Sequence, residues 1–289
     1  NESIDYEGFR KLVRFQLESG ISGLVPLGTT GETPTLDESE EERLIDIAMA
    51  EAKGTVPIIL GAGSNCTRDA VKYVKRAKDK GADYALVVTP YYNKPTDEGV
   101  YRHFAECSKV GIPIIVYNIA GRTGKNISTP LLARIADLPN IAGVKEASGD
   151  IAQMMDVIQA IKRKKPDFAV LSGDDALTLP LVAMGGDGVI SVVSNIAPRQ
   201  VTALAKAALS GDFATARDLH YKLLPAFKAA FIETNPVPIK AAMNMFGLPA
   251  GSLRLPLCKL LEENEGKLKA ALVEAGIFAA PGKDADTFC

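Results

Sequence analysis

Short apolar, β-branched runs alternate with longer stretches of amphipathic spacing from one end of the chain to the other. The runs at residues 23–27, 56–60, 84–88, 112–117, 141–145, 168–171 and 188–192 show no internal polar alternation. Strands of that kind are buried on both faces, as in a parallel sheet. Residues 6–18, 38–52, 68–80, 97–109, 130–136, 151–161 and 176–184 instead carry apolar side chains at helical spacing. Asp37-Glu38-Ser39-Glu40 has the form of a capping box, with acids gathered at the positive end of the helix it opens.

A repeated β-then-α order fits either a doubly wound sheet or a closed eight-stranded barrel. Polar groups decide between them. Gly28-Thr29-Thr30-Gly31-Glu32 follows the first run and Thr89-Pro90-Tyr91-Tyr92-Asn93 the third, while Tyr117-Asn118 ends the fourth. Lys145 ends the fifth, Ser172-Gly173-Asp174-Asp175 follows the sixth, and Ile190 lies in the seventh. Chemistry spread over successive strand ends is the pattern of a TIM (β/α)8 barrel, whereas an open sheet gathers it at one switch point. Seven strands are visible, and the helix at 6–18 has none before it, so the first barrel strand is expected just upstream of the sequence given. Helical stretches at 198–209, 213–232, 239–246 and 258–274 exceed what a barrel needs. They predict a barrel lacking its first strand over 1–210 and a C-terminal helical region and tail over 211–289, the polar tail 281–289 being frayed.

Composition narrows the classes. Of 289 residues, 47% are hydrophobic, enough for a substantial core, and the formal net charge of −2 shows no nucleic-acid footprint. The four cysteines have no metal-ligand spacing and only two histidines accompany them, which argues against a zinc site and for free thiols in a reducing cytoplasm. No apolar stretch is long enough to span a bilayer as a helix, and the start is polar, without a signal-peptide core. A cytoplasmic enzyme or binding protein is the expectation.

The most informative residue is Lys145. Burial disfavours an ammonium at the end of a buried strand, and a neutral amine is what a Schiff-base nucleophile needs. The alternative is a lysine that snorkels to solvent. Gly28–Glu32 can present backbone N–H groups and two hydroxyls to a small anion such as a carboxylate, or can be simply a tight turn. Tyr117, one strand from Lys145, can act as general acid and base or can cap the core. Tyr91 and Tyr92 sit in a Pro-flanked loop suited to a subunit contact. Arg122 in Gly121-Arg122-Thr123-Gly124 is either a carboxylate fork at the rim or a charged loop residue.

Taken with Thr89-Pro90-Tyr91-Tyr92-Asn93-Lys94-Pro95 and Gly143-Val144-Lys145-Glu146-Ala147-Ser148-Gly149-Asp150, these motifs resemble the dihydrodipicolinate synthase family. That family belongs to the pyruvate-aldolase superfamily that includes N-acetylneuraminate lyase. The resemblance runs from about Ile4 to Phe278. It implies that Lys145 forms an imine with pyruvate and that Tyr117 shuttles protons. It further implies that Thr29 links Tyr117 to Tyr92 of a neighbouring subunit. Thr30 and the Gly31 backbone would hold the pyruvate carboxylate beside Ile190, and Arg122 the carboxylate of the partner aldehyde, L-aspartate-4-semialdehyde. No metal or organic cofactor is implied, and a homo-oligomer, typically a dimer of dimers, is. Members inhibited by lysine hold it at positions matching Thr33, Glu38, Glu41, Asn65, Asp69 and Tyr91.

The chain departs from that pattern in several places, among them a tail beyond Phe278 that is longer than usual. The first strand is not in the sequence, Ala120 stands where a proline is common, and Glu38 and Glu41 replace histidines of some lysine-sensitive members. Two other readings remain: a sibling aldolase acting on a sugar acid of the N-acetylneuraminate or 2-keto-3-deoxygluconate type, and a barrel without catalysis that binds a ligand or partner. Arg122 argues against the first, because a carboxylate fork suits a short amino-acid aldehyde better than a polyol. The intact Lys145, Tyr117 and Thr29 argue against the second.

Overall fold

A computed structural model describes residues 2–278 of the chain. Six strands, β1 (Ile59–Gly61), β2 (Tyr84–Val88), β3 (Ile114–Asn118), β4 (Ile141–Glu146), β5 (Ala169–Ser172) and β6 (Gly188–Val189), pair in sequence order, every pair parallel. The run at 23–27 joins the β1 edge by a single bridge, Leu24 to Ile58. Two further bonds, from Ile59 N to the Leu24 carbonyl and from Gly61 N to the Pro26 carbonyl, extend that contact. Pro26 can accept but not donate, and Leu27 has a φ of 58°, so the strand stops there. The sheet is a curled, barrel-type wall. Among the described residues no strand precedes the first helix.

Helices α1 (Tyr6–Glu18) and α2 (Glu38–Ala52) precede β1, and α3 (Thr67–Lys80), α4 (Asp97–Ser108), α5 (Ala120–Thr123), α6 (Thr129–Ala136), α7 (Ile151–Val157) and α8 (Thr178–Ala183) lie between the strands, α5 and α6 both between β3 and β4. After β6 come α9 (Pro198–Leu209), α10 (Phe213–Ala229), α11 (Val237–Met245) and α12 (Glu262–Glu274). The capping box of α2 forms as expected: the Asp37 carboxylate accepts the Glu40 N–H at 2.8 Å, and the Glu40 carboxylate accepts the Asp37 N–H at 3.0 Å. No helix among the described residues is long and apolar enough to cross a membrane.

Several elements differ from expectation, the first being the run at 23–27, which contributes one bridge in place of a full strand. The helix expected over 151–161 ends at Val157 and continues as a wider π turn, Ile158–Lys162. The last helix begins at Glu262 rather than near 258, where Glu262, Glu263 and Glu265 complement its N-terminal dipole. The strand expected over 188–192 is cut to two residues because the chain beyond it turns to meet Asp175, which accepts from Val192 N at 2.9 Å and Val193 N at 3.1 Å. The polar tail expected at 281–289 lies outside the described residues.

The outward faces of the strands (Ile58, Leu60, Ala85, Val87, Ile114, Val116, Val144, Val170) form one core with the surrounding helices. A second core is built around α9–α12, with Leu204, Leu223, Phe227, Ile239 and Leu268 nearly inaccessible. Gly143 sits where β4 approaches β5 most closely: a Cβ there would lie 2.5 Å from the Ala169 carbonyl oxygen. Gly143→Ala therefore overpacks the wall, with an expected loss of about 1–3 kcal/mol in a urea-unfolding titration.

Candidate active site

Alternation along the strands decides which side chains meet inside the wall. Leu86, Ile115 and Tyr117 form an inner cluster with Val88, Ala147, Leu171 and Ile190 packed against it. Lys145 is in register between Tyr117 on β3 and Leu171 on β5, so its side chain joins that cluster. Its Nζ lies over the Tyr117 ring, 4.2 Å from the centroid. Gly173 leaves it room, since a Cβ at that position would come 3.1 Å from Lys145 Cε.

Lys145 is partly accessible, so a small molecule can reach it from the mouth. Burial nevertheless pushes its pKa down from 10.5 to about 8; the Asp175 carboxylate pulls the other way, and the Arg122 charge adds to the depression. The Tyr117 phenol is raised by burial, against a hydrogen bond from the Thr29 hydroxyl and the Arg122 charge. Burial also raises the Asp175 carboxyl, opposed by hydrogen bonds from Ser191 and from the amides of Val193 and Val192.

Thr29–Gly31 forms one 3₁₀ turn bracketed by Leu27 and Glu32, both with positive φ. Such backbone costs energy in a non-glycine residue and is held only by its surroundings. Thr33 Oγ1 donates to the Gly28 carbonyl at 3.0 Å, and Gly31 N donates to the same oxygen at 3.0 Å. An anion at Gly31 would share that amide. Thr30 accepts a bond from Asn235 Nδ2 at 3.0 Å, and Arg122 Nη2 donates to the Asn235 carbonyl at 2.8 Å. Ile190 N is bonded to the Ser172 carbonyl at 2.9 Å, which sets that side chain beside Leu171.

Lys145, Tyr117, Thr29, Thr30, Gly31, Arg122 and Ile190 therefore surround one mouth. Tyr92 does not join them within a single chain: it is 89% exposed, at a φ of 69°. Its loop is pinned by Asn93, whose Nδ2 donates to the Asn65 carbonyl at 2.9 Å. Of the expected effector positions, Glu38 is paired with Lys72 at 2.8 Å and Glu41 with Arg76 at 2.6 Å. Asp69 lies 3.5 Å from Arg68, and Tyr91 is partly exposed beside Asn93.

Four groups that the sequence reading did not single out hold this site. Glu146 is wholly buried behind the wall and accepts from Asn118 Nδ2, Ser148 N and Gln153 Nε2 at 2.8–3.1 Å. Asp175 ties the turn after β6 to the end of β5. Asn235 bridges two strand-end loops. Glu32 is held by Lys240 and by Arg254 N, the latter at 3.0 Å. Glu32, Glu146 and Asp175 each stand in a motif quoted from the sequence without a role of their own, Glu146 as an acid one residue beyond the key lysine inside an apolar strand; Asn235 left no local signal. Acylation of Lys145 by a neutral amine-directed reagent, mapped by peptide mass analysis, is expected to rise with pH through a midpoint near 8. Arg122→Ala should move that midpoint upward, because it removes a like charge.

The 4-hydroxy-tetrahydrodipicolinate synthase of Protochlamydia amoebophila is 54% identical over 272 residues, covering 94% of this chain and 91% of that protein. The enzyme of the same name from Thermotoga neapolitana is 48% identical, covering 96% of this chain and 95% of its own. Among solved structures, the dihydrodipicolinate synthase of Thermotoga maritima superposes with a TM-score of 0.93 at 46% identity, over 96% of this chain and 95% of that one. The 4-hydroxy-tetrahydrodipicolinate synthase of Methylacidiphilum fumariolicum gives 0.92 at 41%, over 96% and 92%. With residues 1–275 matched by the family model as well, the chain belongs to the dihydrodipicolinate synthetase family.

Proposed function

We propose that this chain is a lyase that condenses pyruvate with L-aspartate-4-semialdehyde to 4-hydroxy-tetrahydrodipicolinate, feeding lysine and diaminopimelate synthesis. Its relatives carry the name of that synthase. The observation that supports the reading most directly is the Lys145 amine, depressed to about pH 8 and stacked on the Tyr117 ring inside a barrel mouth.

Lys145 Nζ adds to C2 of pyruvate. Tyr117 passes a proton to the departing hydroxyl, water leaves, and the imine forms. Loss of a proton from C3 gives the enamine, whose carbon bonds to the aldehyde carbon while the aldehyde oxygen takes up a proton. The amine of the bound aldehyde then attacks C2, the bond from C2 to Nζ breaks, and a proton returns to Lys145. The imine is the electron sink throughout. Thr30 and the Gly31 amide hold the pyruvate carboxylate beside Ile190, and Arg122 holds the carboxylate of the aldehyde. Thr29, bonded to the Tyr117 phenol, continues the proton path to Tyr92, which a second copy of the chain supplies. A homo-oligomer follows from that reading, since the exposed Tyr92 serves no site in its own chain. A cytoplasmic setting suits Cys66, Cys107 and Cys258, which are free thiols. A lysine site at Thr33, Glu38, Glu41, Asn65, Asp69 and Tyr91 would place the effector ammonium in competition with Lys72 and Arg76 for the two glutamates.

Turnover of pyruvate with the semialdehyde, followed through the cyclic product, tests the reaction. Cleavage of a sugar acid in its place would overturn it. Borohydride should trap pyruvate on the intact chain and leave Lys145→Ala unlabelled. Tyr117→Phe should slow turnover by roughly 10²–10⁴-fold. The subunit-shared relay has its own test: Lys145→Ala and Tyr92→Phe chains, each impaired alone, should regain activity when mixed and allowed to exchange subunits. Failure of the mixture to recover would confine Tyr92 to its own chain.

A further inference from the structure

Asn235 lies in the connection between α10 and α11 and is 4% exposed. Through its Nδ2 it reaches Thr30, and through its backbone carbonyl it receives Arg122. One residue thus joins the loop assigned to pyruvate to the arginine assigned to the aldehyde. Its remaining polar atom, Oδ1, is buried and has no hydrogen-bond partner. An amide oxygen in that state carries an uncompensated desolvation penalty, and buried polar groups are otherwise almost always bonded. An orphaned acceptor at a substrate pocket points to a donor that arrives with the substrate.

The orientation of the amide is consistent with the rest of the pocket. Because Nδ2 donates to Thr30 Oγ1, the Thr30 hydroxyl proton is left to donate elsewhere, which an anionic carboxylate requires. Amide bond lengths put Oδ1 about 2.2 Å from Nδ2, hence within roughly 5 Å of Thr30 Oγ1. The acceptor therefore lies close to the pyruvate carboxylate subsite, and its own backbone is fastened to Arg122. The aldehyde carries its ammonium on the carbon that bears the carboxylate. With that carboxylate on Arg122, the ammonium needs an acceptor one carbon away, on the side facing the imine.

We propose that Asn235 is a specificity-determining residue, its Oδ1 accepting a hydrogen bond from the amino group of the aldehyde and holding that nitrogen toward the imine carbon it later attacks. The inference rests on the reaction assigned above. It extends recognition of the second substrate from one charged group to two. A short aldehyde with a carboxylate but no amine would satisfy Arg122 and leave Oδ1 unpartnered, so the site discriminates against it.

The test is steady-state kinetics of Asn235→Ala with pyruvate and L-aspartate-4-semialdehyde, alongside inhibition by 4-oxobutanoate, the same aldehyde without its amine. Loss of a hydrogen bond to a charged group should raise the semialdehyde KM about tenfold or more. The inhibition constant of 4-oxobutanoate should stay within about threefold, since that molecule has no donor to lose. Equal weakening of both ligands would overturn the proposal and leave Asn235 as a support for Thr30 and Arg122 alone. Asn235→Asp keeps an acceptor of the same size and guards against misfolding of the alanine variant. It should keep the semialdehyde KM near that of the unaltered chain and raise the pyruvate KM, because a negative charge then sits beside Thr30. A loss of semialdehyde affinity in Asn235→Asp as large as in Asn235→Ala would also overturn it. Absence of turnover by the unaltered chain is a separate result: it removes the assigned reaction itself, and the inference with it.

Discussion

The parallel pairing of β3 with β4 places Tyr117 directly beside Lys145, and everything else at the mouth is arranged around that pair. In a strand, inward and outward positions alternate strictly, so a slip of one residue would send the amine into the layer between strands and helices. There it would displace Glu146, whose neighbours donate only neutral hydrogen bonds. Register is thus a chemical requirement here as well as a packing one. It delivers a lysine to a place where burial favours the free amine and an aromatic face lies 4.2 Å away.

Behind the wall, the same alternation produces a polar layer that keeps the register in place. Asn118, Glu146 and Ser172 are successive partners across β3, β4 and β5, and all three are fully buried. Glu146 has no cation within bonding distance among the described residues; its carboxylate is satisfied by two side-chain amides and one backbone N–H. Asn118 also accepts from Ile127 N at 3.0 Å and donates to Asn126 at 2.8 Å, which anchors the segment after α5. A satisfied buried network of this kind specifies one arrangement, since any other leaves a carboxylate unpaired. Inside the wall, Asp175 and Arg122 act on the amine in opposite senses, so the depressed pKa of Lys145 is a balance in which burial dominates.

The helices after β6 hold the site as well as the second core. Lys240 in α11 pairs with Glu32 and donates to the Ser252 carbonyl at 2.7 Å. Arg254 bonds the Thr35 carbonyl at 2.7 Å and the Glu40 carboxylate, while its own N–H meets Glu32. Together with the bonds of Asn235 to Thr30 and Arg122, these contacts clamp the Thr29–Gly31 turn from the far end of the chain. The positive φ of Glu32 is held by contacts drawn from two hundred residues away.

The order of strands and helices and the burial of Lys145 near a strand end were legible in the sequence. They depend on local periodicity and on burial, which a run such as 141–145 displays on its own. The bounds of α1, α2 and α9 follow directly from helical spacing and caps. The resemblance assigned Thr29, Thr30, Arg122 and Ile190 to one mouth, and the fold gathers them there. The shortened β6, the late start of α12 and the single bridge of Leu24 were not legible, because each depends on a partner or a backbone angle set elsewhere. Asn235 is the clearest case. Nothing near it in sequence marks it, and its place is decided only when α10, α11 and two strand-end loops converge. Periodicity is written in neighbouring residues, so the chain determined its elements and the apolar faces of its helices. A hydrogen bond between residues 30 and 235 exists only once those elements are packed, so the tertiary structure alone decided which polar groups would meet.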